Sequence, residues 1–201
     1  MRRLSLFAAA SLAVRGLAIT GLAITGLALS PLLGPMPGTG LDTGSAAHAQ
    51  TAAKGPSGLP LPRFVSLKAK RVNLRIGPGR DYAVAWLYTR SGVPMEVIQE
   101  YDNWRRVRDA EGTEGWVYQS LLSGDRTAVT APWMRATGKQ EFINMHREAR
   151  ANANIVARLE PGVVVEVKAC DGDWCEARAE GVDGWVAQDE IWGAYPGEAF
   201  K

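Results

Sequence analysis

Between residues 64 and 118 apolar and polar side chains follow one another in short runs close to the two-residue period of a half-buried strand. They nowhere hold the 3.6-residue period of a helix over three turns. β-Friendly residues from Phe64 to Ile76 stop at Gly77-Pro78-Gly79, a strong turn signal. Val93, Met95 and Val97 then alternate with Pro94, Glu96 and Ile98, a strand pattern with a modest defect. Tyr101-Asp102-Asn103 turns the chain into a strand from Trp104 to Asp109, Glu111-Gly112 turns it again, and Gly115 to Tyr118 forms a short final strand. The pattern predicts an all-β unit of short strands.

The same pattern is then written a second time. Gly92, Val93, Glu96, Val97 and Trp104 correspond to Gly162, Val163, Glu166, Val167 and Trp174. After a single-residue deletion, Gly112, Gly115, Trp116 and Val117 correspond to Gly181, Gly184, Trp185 and Val186, and Asn73-Leu74 to Asn144-Met145. Matches in register over three strands predict tandem copies of one domain, at residues 64–123 and 140–195. Residues 124–139 read as a linker with Trp133 as its one notable residue, and 196–201 as a C-terminal tail.

Strand alternation puts Trp104, Arg106 and Arg108 on one face and Arg105, Val107 and Asp109 on the other. With Val107 as the core residue, Trp104 points outward, and Trp174 does the same opposite Ala177. A large flat ring with one N–H, placed outside twice, is a candidate binding anchor. A loop covering each Trp would instead make the pair a satellite core. Trp116 and Trp185 are expected in the core, each after a glycine, Gly115 or Gly184, that permits a tight bend. The three arginines also fit a solvated strand face.

The first fifty residues follow a different plan. Met1-Arg2-Arg3 is basic, Gly16 to Leu33 is almost wholly apolar, and Ala47-His48-Ala49 offers a small-x-small cleavage site, which together predict a signal peptide over residues 1–49. Retention as a membrane anchor is the rival, because about 18 apolar residues nearly span a bilayer. Both readings predict export to the periplasm, and membrane attachment follows only if the segment stays uncleaved. Residues 50–63, rich in Ala, Gly, Pro and Ser, read as a disordered linker. Removing residues 1–49 takes three of the 23 basic and one of the 21 acidic residues, leaving 20 of each. A neutral chain gives no ground for a nucleic-acid partner, whose affinity comes largely from phosphate neutralisation. Cys170 and Cys175, an even pair in an exported chain, read as a disulfide. A two-residue turn at Gly172-Asp173 sets them directly opposite each other.

In "VNLRIGPGRDY", "VPMEVIQEYDNWRRVR" and "EGWVYQSLL" the first copy resembles the successive strands of a bacterial Src homology 3 (SH3) domain. The second copy keeps Gly162, Val163, Val165, Val167, Trp174 and Gly184-Trp185-Val186 but has "HREARANA" in place of the Gly-Pro-Gly turn. The resemblance implies two small five-stranded, partly open β-barrels in an exported, cell-wall-associated protein. It implies a groove at Tyr82, Tyr101, Trp104 and Tyr118, with Arg75 and Arg106 available for carboxylates, although each Tyr also fits a half-buried strand residue. It further implies that the partners are peptidoglycan stem or bridge peptides, or an envelope protein. Tyr118-Gln119-Ser120-Leu121 lacks the Pro and Tyr with which eukaryotic SH3 domains bind Pro-rich helices, so PxxP recognition is not expected.

A hydrolase or transpeptidase would need an activated nucleophile with a base, or a metal held by His and carboxylates. Downstream of residue 49 the one histidine is His146, at the position of Arg75 in the second copy, and it reads as a surface residue. Gly77-Pro78-Gly79 lacks the Lys-Ser/Thr and helix of a phosphate loop. The expectation is a non-catalytic envelope binding protein without cofactor or metal. The alternative is a periplasmic interaction scaffold or regulator of an envelope enzyme.

Overall fold

The computed structural model describes residues 53–137 and 141–201, and the predicted signal segment lies outside them. Two antiparallel sheets, each curled into a small barrel, follow one another along the chain. The first is built from β3 (Arg63–Leu67), β4 (Val72–Arg75), β5 (Val84–Tyr88), β6 (Pro94–Tyr101), β7 (Trp104–Arg108), β8 (Glu114–Tyr118) and β9 (Leu122–Ser123), in the order β5-β4-β8-β7-β6-β3-β9. It is preceded by a two-stranded hairpin of β1 (Ala53–Lys54) and β2 (Pro60–Leu61).

The second barrel contains β10 (Thr127–Thr130), β11 (Ile143–His146), β12 (Ile155–Leu159), β13 (Val164–Asp171), β14 (Trp174–Ala179), β15 (Val182–Ala187) and β16 (Ile191–Trp192). Their order, β12-β11-β15-β14-β13-β10-β16, repeats the first strand for strand, and β17 (Ala199–Phe200) is added beside β13. The duplication extends to irregularities. A bulge lies between Val97 and Gln99 in β6 and between Val167 and Ala169 in β13. It accounts for the broken alternation at Ile98, because one unpaired residue resets the face on which the following side chains fall.

Alternate residues of these strands fill two separate cores. Leu67, Val72, Leu74, Met95, Val97, Val107 and Val117 are almost fully buried in the first, and Ile143, Met145, Val165, Cys175, Ala177 and Val186 in the second.

Three boundaries differ from the sequence reading. Residues 53–61 form a hairpin where a disordered linker was expected. Residues 127–130 are no linker but the first strand of the second barrel, with Ala128 opposite Val165 just as Val65 lies opposite Met95. Residues 199–200 pair with Cys170 and Asp171, so the expected tail is part of the sheet.

The Gly-Trp-Val units also differ from expectation. Trp116 and Trp185 are half-buried and belong to neither core, whereas Val117 and Val186 point inward. Nor does either glycine make a bend. A Cβ on Gly115 would lie 2.5 Å from Leu74 Cγ and 2.9 Å from the Arg75 carbonyl, and one on Gly184 2.5 Å from Met145 Cγ. Both glycines are there to let the neighbouring strand come close.

The barrels pack against each other. Phe64 lies edge-on to Trp192 at 5.0 Å and beside Tyr195 at 4.7 Å between ring centroids. The Arg126 guanidinium sits 4.1 Å from the Phe200 ring centre and 5.8 Å from that of Phe64, and pairs with Glu198 at 2.9 Å. The Tyr195 hydroxyl crosses the seam to donate to Glu96 at 3.1 Å.

Candidate functional site

In β4, Val72 and Leu74 turn inward, so Arg71 before the strand and Asn73 and Arg75 within it share the outer side. Next to them Trp104 of β7 faces Tyr118 of β8 across the ladder, their rings edge to face at 5.4 Å. The 3-10 turn Gln119–Leu121 that follows β8 is fastened by the Gln119 N–H donating to the Asn103 carbonyl at 2.9 Å. It sets Ser120 and Leu121 on the rim. With Arg80 over the Tyr118 ring at 6.0 Å, these residues line a cleft of about 290 Å³.

Donors dominate the rim. Arg75 Nη1 donates to the Tyr82 carbonyl at 2.6 Å, and among the described residues no carboxylate pairs with Arg71, Arg75 or Arg80. Three unneutralised guanidiniums beside two aromatic rings suit a carboxylate-bearing ligand, since guanidinium and carboxylate match in a two-point fork.

Of the six predicted groove residues, the structure brings together Trp104, Tyr118 and Arg75. Tyr82 is 48% exposed and rests its ring over Gly77 and Gly79, touching the cleft only through its carbonyl. Tyr101, 60% exposed, lies across the hairpin from Trp104 but does not line the cleft. Arg106 shares the outer face with Trp104 but lies one pair further along the ladder, opposite Trp116, where it is committed to Glu114 at 2.8 Å. Trp104 is no outward anchor: it is only 9% exposed, with the Tyr118 ring packed against it. Arg71, Asn73, Arg80, Ser120 and Leu121 were not singled out for the groove. The alternation of Arg71, Asn73 and Arg75 along one strand edge was the available signal.

At the matching place the second barrel has a cleft of about 480 Å³, lined by Asn144, His146, Asn152, Ile155, Trp174, Ala187, Asp189 and Glu190 among others. Register fixes the equivalence. Arg75 faces Trp116 where His146 faces Trp185, and Trp104 faces Tyr118 where Trp174 faces Ala187. The 3-10 turn Gln188–Glu190 replaces Gln119–Leu121 and is fastened by the corresponding bond, Gln188 N–H to the Asp173 carbonyl at 2.8 Å.

The rim chemistry is reversed. Asp189 and Glu190 stand where Ser120 and Leu121 do, and burial together with the neighbouring Asp189 pushes the Glu190 carboxyl above its ordinary value. His146 is not a surface residue. It is 8% exposed, with Nδ1 3.0 Å from the Ala153 carbonyl and its ring edge-on to Trp174 at 5.5 Å. Cys170 and Cys175 lie directly opposite each other and are joined in a disulfide, with Cα atoms 4.1 Å apart.

A larger cleft of about 740 Å³ follows the seam between the barrels. Its charged residues are largely committed already, Arg63 and Arg105 to Glu100 and Arg126 to Glu198. Among the described residues no group of three or more His, Cys, Asp or Glu is arranged to hold a metal ion.

The family of bacterial SH3 domains matches the chain at residues 68–124 and 139–193, together more than half its length. No curated protein sequence matches it. Among solved structures, NlpC2 from Trichomonas vaginalis is similar, at 12% identity over 65% of this chain and 48% of that one, with a TM-score of 0.29. An NlpC/P60 family protein from Bacillus cereus ATCC 10987 is 8% identical over 64% of this chain and 55% of that one, with a TM-score of 0.28. The endolysin LysPBC5 CBD is 15% identical over 64% of this chain and 90% of that one, with a TM-score of 0.24. The chain spans about half the length of the first two.

Proposed function

Because the chain belongs to the bacterial SH3 domain family, we propose that it is a non-catalytic, exported binding protein of the cell envelope whose first-barrel groove holds peptidoglycan peptides. The observation that carries this reading is the groove of Trp104 and Tyr118 rimmed by Arg71, Arg75 and Arg80, none of them in an ion pair with a described carboxylate. Stem peptides present carboxylates on an extended backbone, which such a rim takes by paired hydrogen bonds. Export is supported by the basic-apolar-small pattern of the first fifty residues and by the disulfide, a bond that persists in oxidising compartments. The absence of catalysis is supported by the two cysteines being bonded to each other and by the arginine-dominated groove.

A scaffold for an envelope protein is the second reading. It is favoured by β5, an edge strand whose Val84, Trp86 and Leu87 are all exposed and whose outer backbone edge has no partner strand among the described residues.

Co-sedimentation with purified sacculi tests the first reading. Arg71→Glu with Arg80→Glu, both exposed positions, is expected to lower the pelleted fraction about tenfold without changing the unfolding midpoint. Equal pelleting of the variant and the parent chain, or pelleting that survives complete removal of stem peptides, would overturn it.

A further inference from the structure

The second groove pairs an aromatic wall with a rim of acceptors. His146 holds Nδ1 against the Ala153 carbonyl oxygen, so Nδ1 carries the proton and, in the neutral ring, Nε2 carries the lone pair. Nε2 has no hydrogen-bond partner among the described residues, although the side chain is more than nine-tenths buried and lines the cleft. Asp189 and Glu190 add carboxylates, neither in an ion pair with a described residue, and Trp174 adds a ring face. The first barrel has donors or apolar groups at every one of these places: Arg75 for His146, Ser120 for Asp189 and Leu121 for Glu190.

A group that suits this set must donate several hydrogen bonds, carry positive charge and tolerate an aromatic neighbour. A carboxylate fails on charge, and a neutral amide would leave the partly desolvated Glu190 carboxylate uncompensated beside Asp189. A primary ammonium on an alkyl stem meets every condition, with three N–H donors for the acceptors and a cation for the indole.

We propose that the second groove is a primary-ammonium site, taking a lysine-type side-chain amine between Trp174, His146 and the Asp189–Glu190 pair. The inference rests on reading the two grooves as peptide sites, but it does not need the ligand to be the cell wall. It makes the preferred ligand a peptide with both a free amine and a carboxylate, each read by a different barrel. An approaching cation also lowers the cost of ionising Glu190, whose carboxyl is pushed up by burial.

The test is an NMR titration of the full ¹⁵N-labelled chain with Nα-acetyl-lysine methylamide, with the Nζ-acetylated form of the same probe as control. Saturable shifts are expected at the Trp174 indole N–H and the His146 ring, with none at Trp104. They should be absent with the acetylated probe and at least about tenfold weaker in Asp189→Asn/Glu190→Gln. The exposed single variant Asp189→Asn, expected to weaken binding severalfold, covers the case in which the double variant does not fold. No saturable shift, equal shifts with the acetylated probe, or unchanged affinity in Asp189→Asn would overturn the proposal. Sacculus binding that fails while the amine titration succeeds would refute the wall reading and leave the ammonium site standing; the reverse would refute only the ammonium site.

Discussion

The β6–β7 hairpin of the first barrel and the β13–β14 hairpin of the second close the same buried cross-strand position by different chemistry. Glu100 faces Arg105 in one, and Cys170 faces Cys175 in the other. Glu100, with a side chain 1% exposed, accepts from Ser57 N–H at 2.9 Å, Ser57 Oγ at 2.7 Å and Arg63 Nη2 at 2.7 Å, and lies 3.1 Å from Arg105 Nε. Arg105 in turn donates to the carbonyls of Asp102 and Trp104 and to Gln119 Oε1. Each hairpin is also covered by a segment from outside the shared fold, the β1–β2 hairpin at Glu100 and β17 at Cys170. A buried position can therefore be closed by an ion network whose every partner must be supplied, or by one covalent bond that needs none. The first answers to pH and the second to redox state.

Removing one member of the network gives the largest expected effect. In Glu100→Gln the buried guanidinium of Arg105 and the partly buried one of Arg63 are left without a counter-charge, and breaking such a pair costs about 3–5 kcal/mol. Hydrogen exchange is expected to speed up across the first barrel and to change little across β13 and β14. A loss below about 1 kcal/mol in urea unfolding would show that the network is idle.

Acid should reach the same network by titration. Burial alone would raise the Glu100 pKa, but the bonds from Ser57 and Arg63 and the charge of Arg105 outweigh it and hold the group at about 2, against an ordinary 4.5. A depressed folded-state pKa means that the stabilisation is complete above about pH 4.5 and is lost as pH falls towards 2, on the order of 3 kcal/mol in all. Asp183 and Glu114 are depressed too, by Arg178 and Arg108 respectively, but they sit on the surface, where screening leaves such pairs little weight. Protection of the amides, relative to an unfolded chain at the same pH, should thus fall in β6 and β7 before β13 and β14 between pH 5 and 2. Simultaneous loss would break the comparison.

Cys170→Ala/Cys175→Ala should do the opposite, destabilising the second barrel by about 2 kcal/mol, the low end expected for so short a ring. The shift should be the same at pH 4 and pH 7. Reductant on the parent chain should reproduce it, and a first barrel that loosens equally would show that the two hairpins are not independent.

The barrel repeat and the disulfide were legible because both rest on local rules: strand period, turn residues and the opposition of positions across a two-residue turn. The Glu100–Arg105 pair was not: alternation sets Arg105 on the face of Val107, but a lone arginine in a strand normally means solvent, and nothing local names the carboxylate that would keep it inside. The duplicate held the missing signal: the offset that aligns Trp104 with Trp174 carries Glu100 and Arg105 onto the two cysteines. β10 was missed for another reason. Its residues Thr127–Thr130 share no pattern with Phe64–Leu67 of the equivalent strand, and its place shows only in its pairing with β13 and β16. The reversed charge of the second groove was visible in Asp189-Glu190 against Ser120-Leu121. It gains meaning only once His146 is known to be buried among them.

The smallest effect belongs to the seam that holds the two hairpins in one body. Tyr195→Phe keeps the ring against Phe64 and removes only the hydroxyl that donates to Glu96, a carboxylate that Arg108 also contacts at 3.2 Å. Because Glu96 keeps that partner and the site is only half-buried, the loss should be near 1 kcal/mol, the ordinary net worth of one hydrogen bond. The sensitive readout is cooperativity rather than the midpoint. If Tyr195 couples the barrels, the variant's thermal transition broadens or divides, and acid then loosens the first barrel at a higher pH than in the parent chain while the second is unmoved. An unchanged, single sharp transition would locate the coupling in the Phe64, Trp192 and Arg126 contacts alone.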